Sequence, residues 1–250
     1  MKNLLVIGGT ADSNNFLKQL PDDCTALVSV CSELGAKATI SGERIFTVYG
    51  PLDTSGFETL IRKHNISHVV DCSHPFAAEV TRNAKSAANQ QQIPFIRFER
   101  ESFTGTKGVF RFPTVSAAAS YAAKLSGNVF LTIGSHQLQP FLDDPQLKDR
   151  CYMRVLADHN VLASLERNGV DSSRIFAMKG VASTALNIAL AQEIHAGCIV
   201  TKDSGKTGGL NEKYAAAKAL NIPLLVIDRP RKEENVFHTI EAVIREIRRS

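Results

Sequence analysis

The chain has 250 residues, 44% hydrophobic and 22% charged, an ordinary globular balance that buries a core in one large or two small domains without disulfide or metal staples. A net charge of +4 without a clustered basic patch excludes a nucleic-acid binder; the one dense group, Arg245, Arg248 and Arg249, ends a helical stretch, where cations suit the dipole. Five scattered cysteines without CxxC spacing, no signal-peptide pattern, and no apolar run near the roughly 20 residues of a membrane span point to a reduced cytoplasmic protein with no membrane partner and no metal site.

Leu4 to Ile7 is a continuous apolar run, the mark of a buried parallel strand, and Gly8, Gly9 and Thr10 follow at once. Phe16, Leu17 and Leu20 then mark one face of a short helix. Strand, glycine turn and helix make a reduced dinucleotide-binding unit, because position 13 is Ser where G-x-G-x-x-G requires glycine. Gly8, Gly9 and Thr10 are candidate phosphate contacts; a plain glycine turn is the alternative. The second strand, Ala26 to Val30, ends in Ser29-Val30-Cys31-Ser32, with no carboxylate before Glu33. A carboxylate there would hold the ribose 2′-hydroxyl of NAD. Ser29 and Ser32, with Lys37 close in sequence, favour the 2′-phosphate of NADPH instead, with NADH as the second option.

Arg44 to Val48 is a third short strand, and Asp53 caps a helix carrying Phe57, Leu60 and Ile61. Ile66 to Asp71 is the next strand, and Cys72-Ser73-His74-Pro75 breaks from its end. Phe76, Val80, Ala84 and Ala87 recur at helical spacing, so Pro75 is expected to open a helix. Ser73, His74 and Pro75 therefore sit at the carboxyl end of a strand, where open α/β sheets bind ligands. The N–H groups of the helix start are ready donors to an anion. Ile93 to Arg97 is a further strand. Residues 98–112 are expected to cross between two lobes, with Arg97 and Arg100 facing a cleft.

The α/β rhythm then restarts. Ala117 to Leu125 is a helix, and Asn128 to Ile133 a strand ending in Gly134-Ser135-His136. Met153 to Leu156 is a strand, with a helix from Asp158 closed by Gly169. Ile175 to Met178 is a strand, and Ser183 caps the next helix. Cys198 to Thr201 is a strand from whose end Lys202-Asp203-Ser204-Gly205 breaks away, with Gly208-Gly209 ahead of a helix carrying Lys213. Glycines at 205, 208 and 209 let backbone approach a ligand. Lys202 and Lys213 are placed to meet carboxylates. Asp203 is the only carboxylate of the loop and the first candidate for relaying a proton, its alternative role being to cap the loop. Leu224 to Ile227 is the last strand. An amphipathic helix carrying Val236, Phe237, Ile240, Val243, Ile244 and Ile247 closes the chain.

Taken together, these stretches resemble the precorrin-6A reductase family of corrin biosynthesis. The matching pieces are Gly8-Gly9-Thr10, Asp71-Cys-Ser-His-Pro-Phe-Ala77, Ile93-Pro-Phe-Ile-Arg97, Leu131-Thr-Ile-Gly-Ser135, Thr201-Lys-Asp-Ser-Gly205 with Gly208, Gly209 and Lys213, and Ile222-Pro through Arg229-Pro230. They run in family order over nearly the whole chain. Met178-Lys-Gly-Val181 and Phe98-Glu-Arg-Glu-Ser-Phe103 depart from the family pattern. The resemblance implies an α/β fold of two Rossmann-like lobes with parallel sheets and an active-site cleft between them. Residues 1–100 would form the nucleotide lobe and 113–250 the substrate lobe. It implies hydride transfer from NADPH to one double bond of precorrin-6A or its cobalt form, a polycarboxylate macrocycle. Gly8, Gly9, Thr10, Ser29, Ser32, Ser73, His74 and Pro75 would hold the cofactor. Arg97, Ser135, Ser204, Gly205, Gly208, Gly209 and Lys213 would hold the substrate, and Asp203 and Lys202 would serve the chemistry. The oligomeric state stays open.

Two other readings stand beside it. Tyr214 and Lys218 match the Tyr-x-x-x-Lys pair of short-chain dehydrogenases, without the glycine pattern of those enzymes. A non-catalytic two-lobed protein binding an anionic small molecule would use the same glycine turns as clamps.

Overall fold

The alternation of short apolar runs with amphipathic stretches becomes two separate α/β units in the computed structural model, which describes residues 1–105, 107–230 and 236–250. The first unit begins with β1 (Lys2–Ile7), α1 (Ala11–Leu17), β2 (Cys24–Val30), α2 (Glu33–Ala38), β3 (Ile45–Tyr49), α3 (Thr54–Lys63), β4 (His68–Asp71), α4 (Ala78–Gln90) and β5 (Phe95–Phe98). The second holds β6 (Val109–Phe112), α5 (Val115–Ala122), β7 (Asn128–Leu131), α6 (Gln139–Leu142), β8 (Cys151–Val155), α7 (His159–Arg167), β9 (Ile175–Ala177), α8 (Thr184–Glu193), β10 (Ala196–Lys202), α9 (Leu210–Leu220) and β11 (Leu224–Ile227). The chain then returns to the first unit with β12 (Val236–Phe237) and α10 (Ile240–Arg249).

Each unit is built on one six-stranded sheet whose neighbouring strands are all parallel. The first sheet runs β12-β5-β4-β1-β2-β3, the doubly wound order of dinucleotide-binding folds. Successive side chains of β1 go to opposite faces. Leu4 and Val6 pack with Phe16 of α1 and with Val243 and Ile247 of α10. Leu5 and Ile7 pack with Phe57 and Ile61 of α3 and with Ala84 and Ala87 of α4. The second sheet runs β6-β11-β10-β7-β8-β9, with Phe130 of β7 and Ile199 of β10 buried against Ala191 of α8 and Leu210 and Ala216 of α9.

Three expectations need correction. The second lobe does not run to the C-terminus: Val236 pairs with Arg97 and Phe237 with Phe98, and α10 covers the first sheet. The apolar stripe of α10 needs a partner surface, and the open face of β1 and β2 supplies it. Lys2 Nζ donates to the Ile247 carbonyl, and His68 Nε2 lies 3.1 Å from Ser250 Oγ, which pins the end of that helix. Val236 and Phe237 accordingly form a strand instead of opening the helix. The expected crossing segment contains β6, an edge strand of the second sheet paired with β11; Thr106 of that segment lies outside the described residues. Finally, Pro75 does not open α4. The Ala77 N–H donates to the His74 carbonyl at 2.8 Å, so Pro75 takes the second position of a β-turn and α4 starts at Ala78. Among the described residues no helix is long and apolar enough to cross a membrane.

Candidate functional site

In a doubly wound sheet the crevice for a ligand opens where the strand order reverses. In the first unit that point lies between β1 and β4, which are hydrogen-bonded neighbours. The loops leaving those two strands are Gly8–Thr10 and Cys72–Ala77. Thr10 ties them together, its Oγ1 donating to the Cys72 carbonyl at 2.8 Å. The same Thr10 caps α1. Its Oγ1 accepts the Ser13 N–H at 3.0 Å, and Ser13 Oγ accepts the Thr10 N–H at 3.2 Å. The serine that spoils the glycine fingerprint thus completes a capping box. The two glycines do different work. A Cβ on Gly8 would lie 2.6 Å from Val28 Cγ1, so Gly8 lets β1 pack on β2. Gly9 has a φ of +85°, and a Cβ there would meet nothing closer than Val30 at 3.9 Å. Open space beside a left-handed glycine, at the switch point, is a cradle that a side chain would fill, and it fits a dinucleotide pyrophosphate.

The rest of the expected cofactor set is placed unevenly. Ser32 caps α2 by accepting the Gly35 N–H at 3.2 Å, and Ser29 is buried within β2 with its carbonyl accepting the Gly8 N–H at 2.8 Å. Lys37 is ion-paired with Glu33 at 2.8 Å. His74 is half-buried, with Nδ1 accepting the Phe76 N–H at 3.2 Å, which leaves the ring proton on Nε2. Ser73 belongs to a buried network. Asp71 Oδ1 accepts the Ser73 N–H at 2.9 Å and lies 2.8 Å from Arg97 Nη1, while Asp71 Oδ2 accepts the Thr81 hydroxyl at 2.7 Å. Arg97 also donates to Ser73 Oγ at 2.9 Å and lies 3.6 Å from Glu99. At 4% exposure Arg97 is an internal brace between the ends of β4 and β5, and the expectation that it meets substrate is corrected. Arg100 likewise pairs with Asp12 of α1, at 2.9 Å. A guanidinium beside a buried carboxylate is retained by that carboxylate, because separation would leave a buried charge alone.

In the second unit the order reverses between β7 and β10. The loops leaving these strands are Thr132–His136 and Asp203–Gly209, so the polar turns singled out in the sequence again meet at a switch point. Ser135 opens a short turn after Gly134 and also lines a pocket of about 200 Å³ formed with α6 and α7. Asp203 is wholly buried. Its carboxylate accepts from the Ser102 and Arg111 side chains and, at 3.4 Å, from the Phe103 N–H, and Arg229 Nη2 lies 3.7 Å away. Burial pushes its pKa up, but the hydrogen bonds from Ser102 and Arg111 and the charges of Arg229 and Arg111 outweigh it, so the pKa ends below the ordinary value. An acid held ionised by two arginines is an anchor for the ends of β6, β10 and β11, and its candidacy as proton relay is corrected. Arg111 extends the anchor through Asp228, to which its Nε donates at 2.7 Å.

The loop after Asp203 closes on one carbonyl. Ser204 Oγ and Lys213 Nζ both donate to Gly208 O, at 3.2 and 3.1 Å. Gly205 and Gly209 have φ of +65° and +74°, a conformation that favours glycine. Lys213 is only 3% exposed, so it supports the loop from beneath instead of reaching out to a substrate. Burial, with the charge of Arg154 nearby, pushes its pKa down to about 7. Burial alone pushes Lys202 down to about 8, and Lys202 is half-buried at the end of β10. Tyr214 packs its ring on Phe103 at 5.1 Å and Lys218 is exposed, the arrangement of a packed face and a solvated one. Arg154 lies outside every motif. It is a partly buried cation in β8, between Met153 and Val155, held by a 2.9 Å bond to Asn187 Oδ1. A charge inside an otherwise apolar strand of a parallel sheet was its one sequence signal.

The comparisons agree with this geometry. The family model for precorrin-6x reductase CbiJ/CobK matches residues 3–248. A cobalt-precorrin-6A reductase of Priestia megaterium is 31% identical over 248 residues, 96% of either chain. Another, of Synechocystis sp., is 34% identical over 232 residues, 90% of this chain and 87% of that protein. The solved structure of a CobK precorrin-6A reductase superposes with a TM-score of 0.79 at 25% identity, covering 100% of this chain and 97% of that one. With its parallel sheets and switch-point loops, the chain belongs to the precorrin-6x reductase CbiJ/CobK family, the reductases of corrin biosynthesis.

Proposed function

We propose that this reductase takes NADPH at the switch point of its first unit and reduces precorrin-6A, or its cobalt form, held by the loops of its second unit. The observation that carries the reading is the coincidence of the glycine and polar loops with the two switch points, in a chain of this family. Gly9 would hold the pyrophosphate on its backbone N–H, with Thr10, whose own N–H goes to Ser13 Oγ, fixing the turn. The absence of a carboxylate at the end of β2, where Cys31 and Ser32 are exposed, supports a 2′-phosphate over a free 2′-hydroxyl. A reduced nicotinamide supplies the hydride when bound. The chain's own part is to hold the reacting carbon about 3 to 3.5 Å from the donor and to supply a proton.

Asp203 is bound too tightly as an anion for that second task. Lys202, adjacent to it, has a pKa of about 8 and is therefore protonated at neutral pH yet within reach of donating. We assign it the proton donation, along with attraction of the substrate's carboxylates. Lys202 gives this edge its positive character, which suits a polycarboxylate, because the carboxylates of Asp203 and Asp228 are matched by Arg111 and Arg229.

The test is anaerobic mixing of the protein with precorrin-6A and either NADPH or NADH, following nicotinamide absorbance. Oxidation of NADPH with a simultaneous change in the macrocycle spectrum is expected, with a higher KM for NADH. No oxidation with either nucleotide would overturn the reductase assignment for this substrate. An equal or lower KM for NADH would overturn the NADPH preference alone.

A further inference from the structure

The second unit carries a guanidinium that the fold prepares and does not neutralise. Arg154 stands one residue before the carboxyl end of β8. Its Nη1 donates to Asn187 Oδ1 at 2.9 Å, the one hydrogen bond Arg154 makes among the described residues. No carboxylate among the described residues lies within ion-pair distance of it. Asn187 is wholly buried, and its amide donates to the carbonyls of Ala182 at 3.0 Å and Ser183 at 2.8 Å, so Oδ1 is forced to face the arginine. The orienting residue is therefore itself locked. Burial lowers the Arg154 pKa, and the Arg154 charge is felt at Lys213.

The surroundings connect this group to the substrate loops. Ala182 follows Val181, whose Cγ1 would lie 2.4 Å from a Cβ on Gly209, so the turn after β9 rests directly on the glycine loop after β10. One neutral amide holds Arg154, and one neutral carbonyl, Gly208 O, holds Lys213. Lys213 also feels the negative charge of Glu212, whereas Arg154 has only its dipole, and a desolvated guanidinium held in that way costs free energy unless an anion joins it. Arginine presents five donors in a planar fork that matches a carboxylate, and here a single donor is engaged within the protein. The fork is pre-oriented, so little rotamer entropy is lost when a ligand arrives.

We propose that Arg154, aimed by Asn187, is a specificity-determining contact that takes one side-chain carboxylate of the macrocycle in a forked pair. This rests on the reading of the protein as a precorrin-6A reductase and deepens it. Asn187 is then a positioning residue, and Lys213 holds the neighbouring glycine loop in place. The pair accounts for the Met178-Lys-Gly-Val181 turn as the support of this subsite, since the carbonyl after Val181 is one of the two that lock Asn187.

The experiment compares parent, Arg154→Lys and Arg154→Gln in NADPH-dependent turnover of precorrin-6A, with thermal melts to establish folding. Removal of a charge-assisted bond should raise the KM for precorrin-6A roughly 10- to 100-fold in Arg154→Gln, by less in Arg154→Lys, with kcat and the KM for NADPH within about twofold of the parent. A folded Arg154→Gln with unchanged KM for precorrin-6A overturns the proposal. A second measurement needs no variant. Phenylglyoxal should modify Arg154 in the parent, as located by peptide mass, and bound precorrin-6A should protect it; an equal rate of modification with and without the macrocycle also overturns the proposal. A parent that fails to oxidise NADPH with precorrin-6A would instead refute the underlying reading, so the two failures are distinguishable.

Discussion

Asp203 shows how a residue with catalytic credentials in sequence becomes a structural anion in the fold. A carboxylate at a switch-point loop, flanked by lysine and serine, looked like a proton relay. The fold surrounds it with Ser102, Arg111 and Arg229, whose donors come from segments far apart in sequence, and no local pattern announces them. Its folded-state pKa lies below the ordinary value. The stability it contributes is therefore present above the unfolded-state pKa of about 3.9 and is lost as pH falls through the lower folded one. Asp203→Asn should lower stability by about 1 to 3 kcal/mol at pH 7, since it removes the buried anion that accepts from Ser102 and Arg111, while Arg111, 36% exposed, keeps Asp228. In urea unfolding followed against pH, the gap to the parent should close below the carboxylate range. The folded variant should keep both limbs of the pH profile of kcat; loss of a limb would return Asp203 to the chemistry. Lys202 gives the complementary expectation. Its pKa of about 8 places it as an acid that stops donating as pH rises past that value. The parent kcat should therefore fall on the alkaline side near pH 8. Lys202→Met should lose that limb and roughly 100-fold or more in kcat. A near-normal kcat with only a raised KM would reduce Lys202 to an electrostatic contact.

At the scale of elements, the strands were legible because parallel strands buried on both faces carry plain apolar runs; β1, β7 and β11 follow that rule. Helix starts marked by Asp53 and Ser183 were legible as caps, since a short polar side chain has a specific use there. Pro75 was not, because proline suits the second position of a β-turn as well as the first turn of a helix, and only the Ala77-to-His74 hydrogen bond separates the two. The glycine pair after β1 was legible as a motif, but not the division of labour within it, which depends on Val28 and Val30 in the neighbouring strand. That division is testable. Gly8→Ala should destabilise the protein by about 1 to 3 kcal/mol through overpacking on Val28. Gly9→Ala should cost about 1 kcal/mol in backbone strain and leave the fold intact, while raising the KM for NADPH and NADH by the same large factor. A folded Gly9→Ala with parental KM values would remove the turn from the cofactor site.

Over the whole molecule, the feature hardest to see in one dimension was the return of the chain to its first unit. The amphipathic stripe of α10 is plain in sequence, yet a stripe says only that a helix is buried on one side, not which sheet it covers. The preceding strand, β12, has two residues, too few for an apolar run to register. Adjacency along the chain assigned both elements to the second unit, whereas the free edge of β5 and the bare face of β1 and β2 claim them for the first. The consequence is that the last residues of the chain support the unit that begins with the first. Val243 and Ile247 are fully buried against Leu4, Val6 and Val28. Ile247→Ala should therefore cost about 2 to 5 kcal/mol. Amide hydrogen exchange locates where. Faster exchange should appear in β1, β2, β4 and β5, while β7, β10 and β11, which are nearer in the chain, should keep parental protection. Loss of protection in the second sheet at the same rate would mean that the helix stabilises both units alike. Protection unchanged in β1 and β2 would mean that α10 is not part of the first core.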